Sequence, residues 1–166
     1  MFNITMRGDA NLLAKLDSLP TAVRAALEAK VIVLANDLRN HIQADKLQGQ
    51  VLQQRTGALS ASITAEAPIS TGTSVKGRVY SAGDVKYAAI HEFGGLIPAH
   101  DVVPKAAQAL RFEVDGQVVF AARAHIPEVR MPERSFMRSA LADLAPEIEA
   151  GLKGAVISGI KAELNR

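Results

Sequence analysis

The stretch YAAIHEFGG at 87–95 sets His91 beside Glu92, and His100 and Asp101 follow shortly after. Imidazole nitrogens and carboxylates gathered this closely are the side chains of metal centres and of general acid–base catalysis. His91-Glu92 opens like the zinc-protease pattern H-E-x-x-H, in which two histidines one helical turn apart reach one metal, but position 95 is glycine. A looser set of His91, Glu92, His100 and Asp101 matches no recurrent ligand spacing, and the intervening FGGLIPA adds no further ligand. A small metal-dependent hydrolase using His91, Glu92 and His100 stands as the enzyme alternative. Nucleophilic chemistry has less support. The chain has no cysteine, no G-x-S-x-G elbow and no glycine-rich phosphate cradle. The structural reading of the same stretch is a short helix over Tyr87–Phe93, closed by Gly94 or Gly95. It would bury Tyr87, Ile90 and Phe93 and turn His91 and Glu92 toward water or a partner.

The elements that must carry this stretch follow from periodicity. Val23, Leu27, Val31, Leu34, Leu38 and Ile42 recur at steps of three and four, predicting a long amphipathic helix within residues 9–47. Leu12, Leu13 and Leu16 add a shorter helical turn, with a kink or restart at Pro20. Residues 48–57 read as a loop or extended arm. After Gly57 the period falls to two. Leu59, Ala61, Ile63 and Ala65 alternate with polar residues, and SVKGRVYS at 74–81 alternates again, so the two segments can pair antiparallel. Asp115-Gly116 is a two-residue hairpin turn because both positions tolerate positive φ. It sets Val114 opposite Gln117, Phe112 opposite Val119 and Leu110 opposite Ala121. The face with Leu110, Phe112, Val114 and Val119 is expected to seat on the core, leaving Arg111, Glu113, Val118 and Phe120 outward.

A second helical stripe runs from Met137 through Leu141, Leu144, Ile148, Leu152, Val156 and Ile160 to Leu164, with a kink or a new helix at Pro146. Gly151, Gly154 and Gly159 each cost about 1 kcal/mol of helix propensity, which predicts close packing at those positions. The order predicts one α+β domain over residues 1–166: an antiparallel sheet with a protruding β-hairpin, packed by long N-terminal and C-terminal helices. Nineteen basic and seventeen acidic residues are interspersed, giving +2, which argues against a nucleic-acid binder or a membrane-surface protein. No run approaches the roughly 18 apolar residues of a membrane span, and the N-terminus lacks a signal-peptide core, so the chain is expected to be made in the cytosol.

Three motifs in order, RTGALSASI at 55–63, YAAIHEFGG at 87–95 and RSFMRSAL at 134–141, resemble the tail-component and virion-morphogenesis families of tailed bacteriophages. In those families an R-T-G-x-L segment opens the sheet, Y-A-x-x-x-E-F-G closes the first strand set and R-P-F-[LM] starts the last helix. Here Ser135 stands where the proline is usual, and Gly95 where threonine is common. The resemblance implies a structural virion protein of the neck, in a tail-completion or tail-terminator role, with no catalysis and no cofactor or metal. It implies a homo-oligomeric ring, a hexamer by analogy, between the tail tube and the head connector. No membrane and no sequence-specific nucleic acid is implied, and DNA can pass through the ring. Assembly would take place in the host cytoplasm. The interface candidates that follow are Arg55, Tyr87, Glu92, Phe93, Gly94, Arg134 and Phe136 from the motifs, with Phe120 from the outward hairpin face.

Overall fold

A computed structural model describes residues 4–5, 21–52, 56–71, 74–83, 85, 87–105 and 107–164. The expected helical turn at Leu12–Leu16, the kink at Pro20 and the candidate Arg55 lie outside the described residues. The protein is α+β, as its periodicities predict. Helix α1 (Thr21–His41) buries Val23, Leu27, Val31, Leu34 and Leu38, the expected stripe. It lies on an antiparallel three-stranded sheet of order β1-β3-β2, formed by β1 (Ile4–Thr5), β2 (Ile63–Ser70) and β3 (Val75–Ser81). Ile63 and Val79 point inward from the sheet. Arg78 lies on the other face, bonded to Glu66 at 3.1 Å and stacked over Tyr80. The alternation of side chains across a strand accounts for this sorting.

Helix α1 ends earlier than its apolar stripe. A π-helical turn (Ile42–Gln50) follows, with Gln48 and Gly49 outside helical geometry, and it buries Ile42 and Leu47. Lys46, also buried, reaches Asp143 at 2.6 Å, while His41 bridges Asp45 and Asp143. The Asp143 carboxyl is held below its ordinary range by Lys46 and then His41. The expected strand over Leu59–Ala65 begins only at Ile63. Residues Ala58–Ser62 form a short helix, α2, after Gly57 in the left-handed region (φ 74°). The Ser62 hydroxyl donates to the Leu59 carbonyl at 2.7 Å, a local bond that competes with strand geometry.

The last helix, α4 (Met137–Leu164), packs antiparallel on α1. It runs through Pro146 without a break. The carbonyl that this proline leaves without a helical donor belongs to exposed Ala142, where water can replace it. Of the three glycines expected to mark close packing, Gly159 does so: a Cβ there would lie 2.6 Å from the Val23 Cα. At Gly151 the neighbour is the flexible end of Lys30, and Gly154 faces open space. Phe136, Met137 and Ala140 join Leu38, Ile42, Ile63 and Val79 in the main core. No helix among the described residues is long and apolar enough to cross a membrane.

Candidate functional site: a clamped arm

Between the short helix α3 (Tyr87–Phe93) and α4 the chain leaves the domain as one nested ribbon. Strands β4 (Gly95–Ile97) and β5 (His100–Val102) go out, and β8 (Ala124–Ile126) and β9 (Val129–Met131) return. Pairing runs from Gly95↔Met131 to Ile97↔Val129, then resumes in the same register at His100↔Ile126. The gap holds Pro98 on one strand and Pro127 on the other, neither of which has an N–H to donate. Asp101 spans the ribbon to Arg123 and to His125, and both hold its carboxyl below the ordinary range, Arg123 more strongly. Beyond it, β6 (Leu110–Val114) and β7 (Gln117–Ala121) close the tip. Asp115 (φ 51°) and Gly116 (φ 79°) make the turn, with the expected pairs Val114↔Gln117, Phe112↔Val119 and Leu110↔Ala121.

The tip corrects one expectation. The face bearing Phe112, Val114 and Val119 does not seat on the core; both faces are exposed, with Phe120 at 66%. A two-stranded hairpin is marginal in water by itself. Four cations, Lys105, Arg111, Arg123 and Arg130, balance four anions, Asp101, Glu113, Asp115 and Glu128, along the ribbon. The arm therefore has no net charge from these eight groups, and its apolar tip is uncovered.

The root of the arm is where YAAIHEFGG meets RSFMRSAL. Helix α4 has no acidic residue in its first turn, so its orphan N–H groups need an acceptor from elsewhere. Glu92 supplies it. Its side chain, 0% exposed, accepts from the backbone N–H of Phe136 and of Met137 at 2.8 Å and of Arg138 at 2.9 Å. The Ser135 hydroxyl at 3.0 Å and the Arg138 guanidinium at 3.1 Å complete the set. A negative charge at a helix N-terminus is further favoured by the macrodipole. Arg138 also donates to the Glu92 carbonyl, pairs with Glu133 and covers the Phe93 ring at 4.7 Å. The strand entering the arm is thereby tied to the strand leaving it.

Gly94 tightens the same joint. It lies in the left-handed region (φ 67°), and a Cβ there would come within 2.7 Å of the Glu133 N and 2.9 Å of the Met131 carbonyl. The Arg134 N–H donates to the His91 carbonyl at 2.8 Å. Gly94→Ala is expected to destabilise by about 2–4 kcal/mol, adding left-handed strain to backbone displacement. Gly116→Ala, with open space around it, should lose only about 1 kcal/mol. Urea unfolding of both variants checks this; equal losses would show that the root tolerates a side chain.

Several candidates therefore change place. Glu92 and Phe136 serve the interior of their own chain rather than a surface, because the helix N-terminus and the core claim them. Tyr87 (43%) and Phe93 (51%), expected to be buried in α3, are instead exposed, as is Arg134. Helix α3 turns Ala88 and Glu92 inward, one turn apart, leaves Ile90 and His91 half-buried, and turns Tyr87, Ala89 and Phe93 outward. His91 lies partly buried, edge-on to Tyr87, with its Nδ1 enclosed and without a hydrogen-bond partner. Burial first, then the charge of Arg134, lowers its pKa from 6.5. Its neutral form is therefore favoured: that part of the stability is present above pH 6.5 and is lost as pH falls through the lowered value. Ser135 and Arg138 were missed by sequence reasoning. The signal that could have found them is the missing acid in the first turn of α4.

The metal reading loses its carboxylate here, since both Glu92 oxygens are occupied by donors, and His100 Nδ1 lies 3.0 Å from the Pro98 carbonyl. Among the described residues no group of three or more His, Asp or Glu side chains is placed to hold a metal ion. No protein-family model, curated protein or solved structure matches the chain.

Proposed function

We propose that this chain is a structural protein of a bacteriophage virion, acting at the head–tail junction as a tail-completion or tail-terminator protein. In this reading copies form a ring that joins the tail tube to the capsid connector. The observation that carries it is the arm: anchored at its root by a buried carboxylate, it offers two uncovered faces at its tip. Binding residues held out on a rigid scaffold are a common arrangement for contacts with a partner. A ring needs heterologous contacts, one patch of each copy meeting a different patch of the next, and a projecting arm suits such an arrangement. The order of the three motifs supports the virion assignment, and two of them meet at the clamp.

Phe120→Asp tests the reading. The ring of Phe120 is exposed in the single chain, so circular dichroism and the unfolding midpoint should remain near those of the parent. Assembly should fail, since an unpaired charge would be buried at a cost of about 3–5 kcal/mol per contact. Light scattering, negative-stain images and head-to-tail joining in an infection complementation assay measure the outcome. A parent protein that is monomeric both in solution and in a map of the particle would overturn the ring.

A further inference from the structure

At the root of the arm one side-chain atom, Nδ1 of His91, is enclosed with no hydrogen-bond partner among the described residues. Buried polar atoms left in this way are uncommon in native proteins. This one lies at the joint itself. His91 precedes Glu92, the cap of α4, and its own carbonyl accepts the N–H of Arg134 at 2.8 Å. Its ring meets the Tyr87 ring edge-on, with centroids 5.9 Å apart. The proton count of the ring decides what the enclosed atom costs. A neutral imidazole has a single N–H, which Nε2 can carry, so that Nδ1 presents only a lone pair. An imidazolium donates from both nitrogens, and Nδ1 then holds an N–H with no acceptor in reach. No carboxylate of the clamp offsets this, because Glu92 spends both oxygens on the start of α4 and Glu133 pairs with Arg138. The charge that does act on the ring, Arg134 from the segment before α4, has the same sign.

We infer that the root of the arm is a pH-sensitive joint, closed while the His91 ring is neutral and opened when the ring takes a second proton. In the open form the imidazolium turns into water, which supplies an acceptor for Nδ1 and separates it from Arg134. The backbone must follow, since His91 lies between the carbonyl that holds Arg134 and the carboxylate that caps α4. Helix α3, with only seven residues, is too short to keep its shape without those ties. The strand entering the arm is then freed from the strand leaving it. The sign follows from linkage. The closed joint binds fewer protons than the open one, so closure is favoured above pH 6.5 and weakens as pH falls through the lowered value of His91. The device belongs to the single chain and does not depend on the proposed ring.

Hydrogen exchange of the full-length protein at about pH 7.5 and about pH 5 tests it, with rates corrected for the intrinsic pH dependence of exchange. The amides of Arg134 and of Phe136, Met137 and Arg138 are expected to exchange about tenfold faster at the lower pH, while those of Val31 to Leu38 in α1 keep their protection. His91→Phe keeps an aromatic ring against Tyr87 but cannot charge, so its gain should vanish. A gain that persists in His91→Phe would overturn the inference and assign the response to another acid-sensitive group. No gain in the parent, or one shared equally by α1, would overturn it as well. Should His91→Phe fail to fold, the ring nitrogen shifts of His91 in the parent decide by nuclear magnetic resonance. The inference requires the Nε2–H form at the higher pH and a midpoint below 6.5 that coincides with the loss of protection. A ring that titrates at or above 6.5, or without change in those amides, would overturn it.

Discussion

Glu92→Ala is expected to lower the unfolding free energy by about 3–5 kcal/mol, the range for stripping one partner from a buried charge network. Three backbone N–H groups at the start of α4 would lose their acceptor together, and a buried donor left unpaired costs about 1–3 kcal/mol. For a chain of this size the melting temperature should fall by on the order of 10 °C. Glu92→Gln keeps the shape and one acceptor oxygen but turns an amide N–H₂ toward donors, so about 2 kcal/mol is expected. Thermal and urea unfolding measure both. Hydrogen exchange should also show the amides of residues 136–138 losing protection in the alanine variant before the rest of α4. A loss below about 1 kcal/mol for alanine would mean that the clamp does not hold the root.

Phe136→Ala should be comparably severe, about 3–5 kcal/mol, because its side chain is the largest of those fully enclosed. It belongs to the main core together with Leu38 of α1, Ile42 of the π-helical turn and Ala140 of α4. The cavity cannot collapse easily, since the residues on either side are fixed to Glu92. For that reason the double variant with Glu92→Ala is expected to lose less than the sum of the two single losses. Urea unfolding of the two single variants and the double closes the cycle. Simple additivity would show that the clamp and the core act independently.

Both variants bear on function through the arm. A frayed start of α4 frees the strand that returns from β9, so the direction of the ribbon would no longer be set by the domain. Under the proposed role, Glu92→Gln should therefore retain more head-to-tail joining than Glu92→Ala.

The features that sequence alone determined are the local ones. Asp115-Gly116 dictates its hairpin and register because only two adjacent residues must accept positive φ. The stripe from Val23 to Leu38 dictates a helix and its buried face, and the alternation of Val75 and Val79 with Lys76 and Arg78 dictates a strand, because each repeat matches one backbone period. The tertiary structure decided what depends on distant partners. Glu92 is separated from Phe136 by 44 positions, so its identity as the cap of α4 could not be read from the helix it belongs to. The apolar pattern of Phe112, Val114 and Val119 predicted a buried face, but alternation says only that a face is apolar, not which surface will cover it. The same limit applies to the glycines of α4. All three looked alike in sequence, yet only the crossing of α1 and α4 decided that Gly159 meets a backbone and Gly154 meets open space.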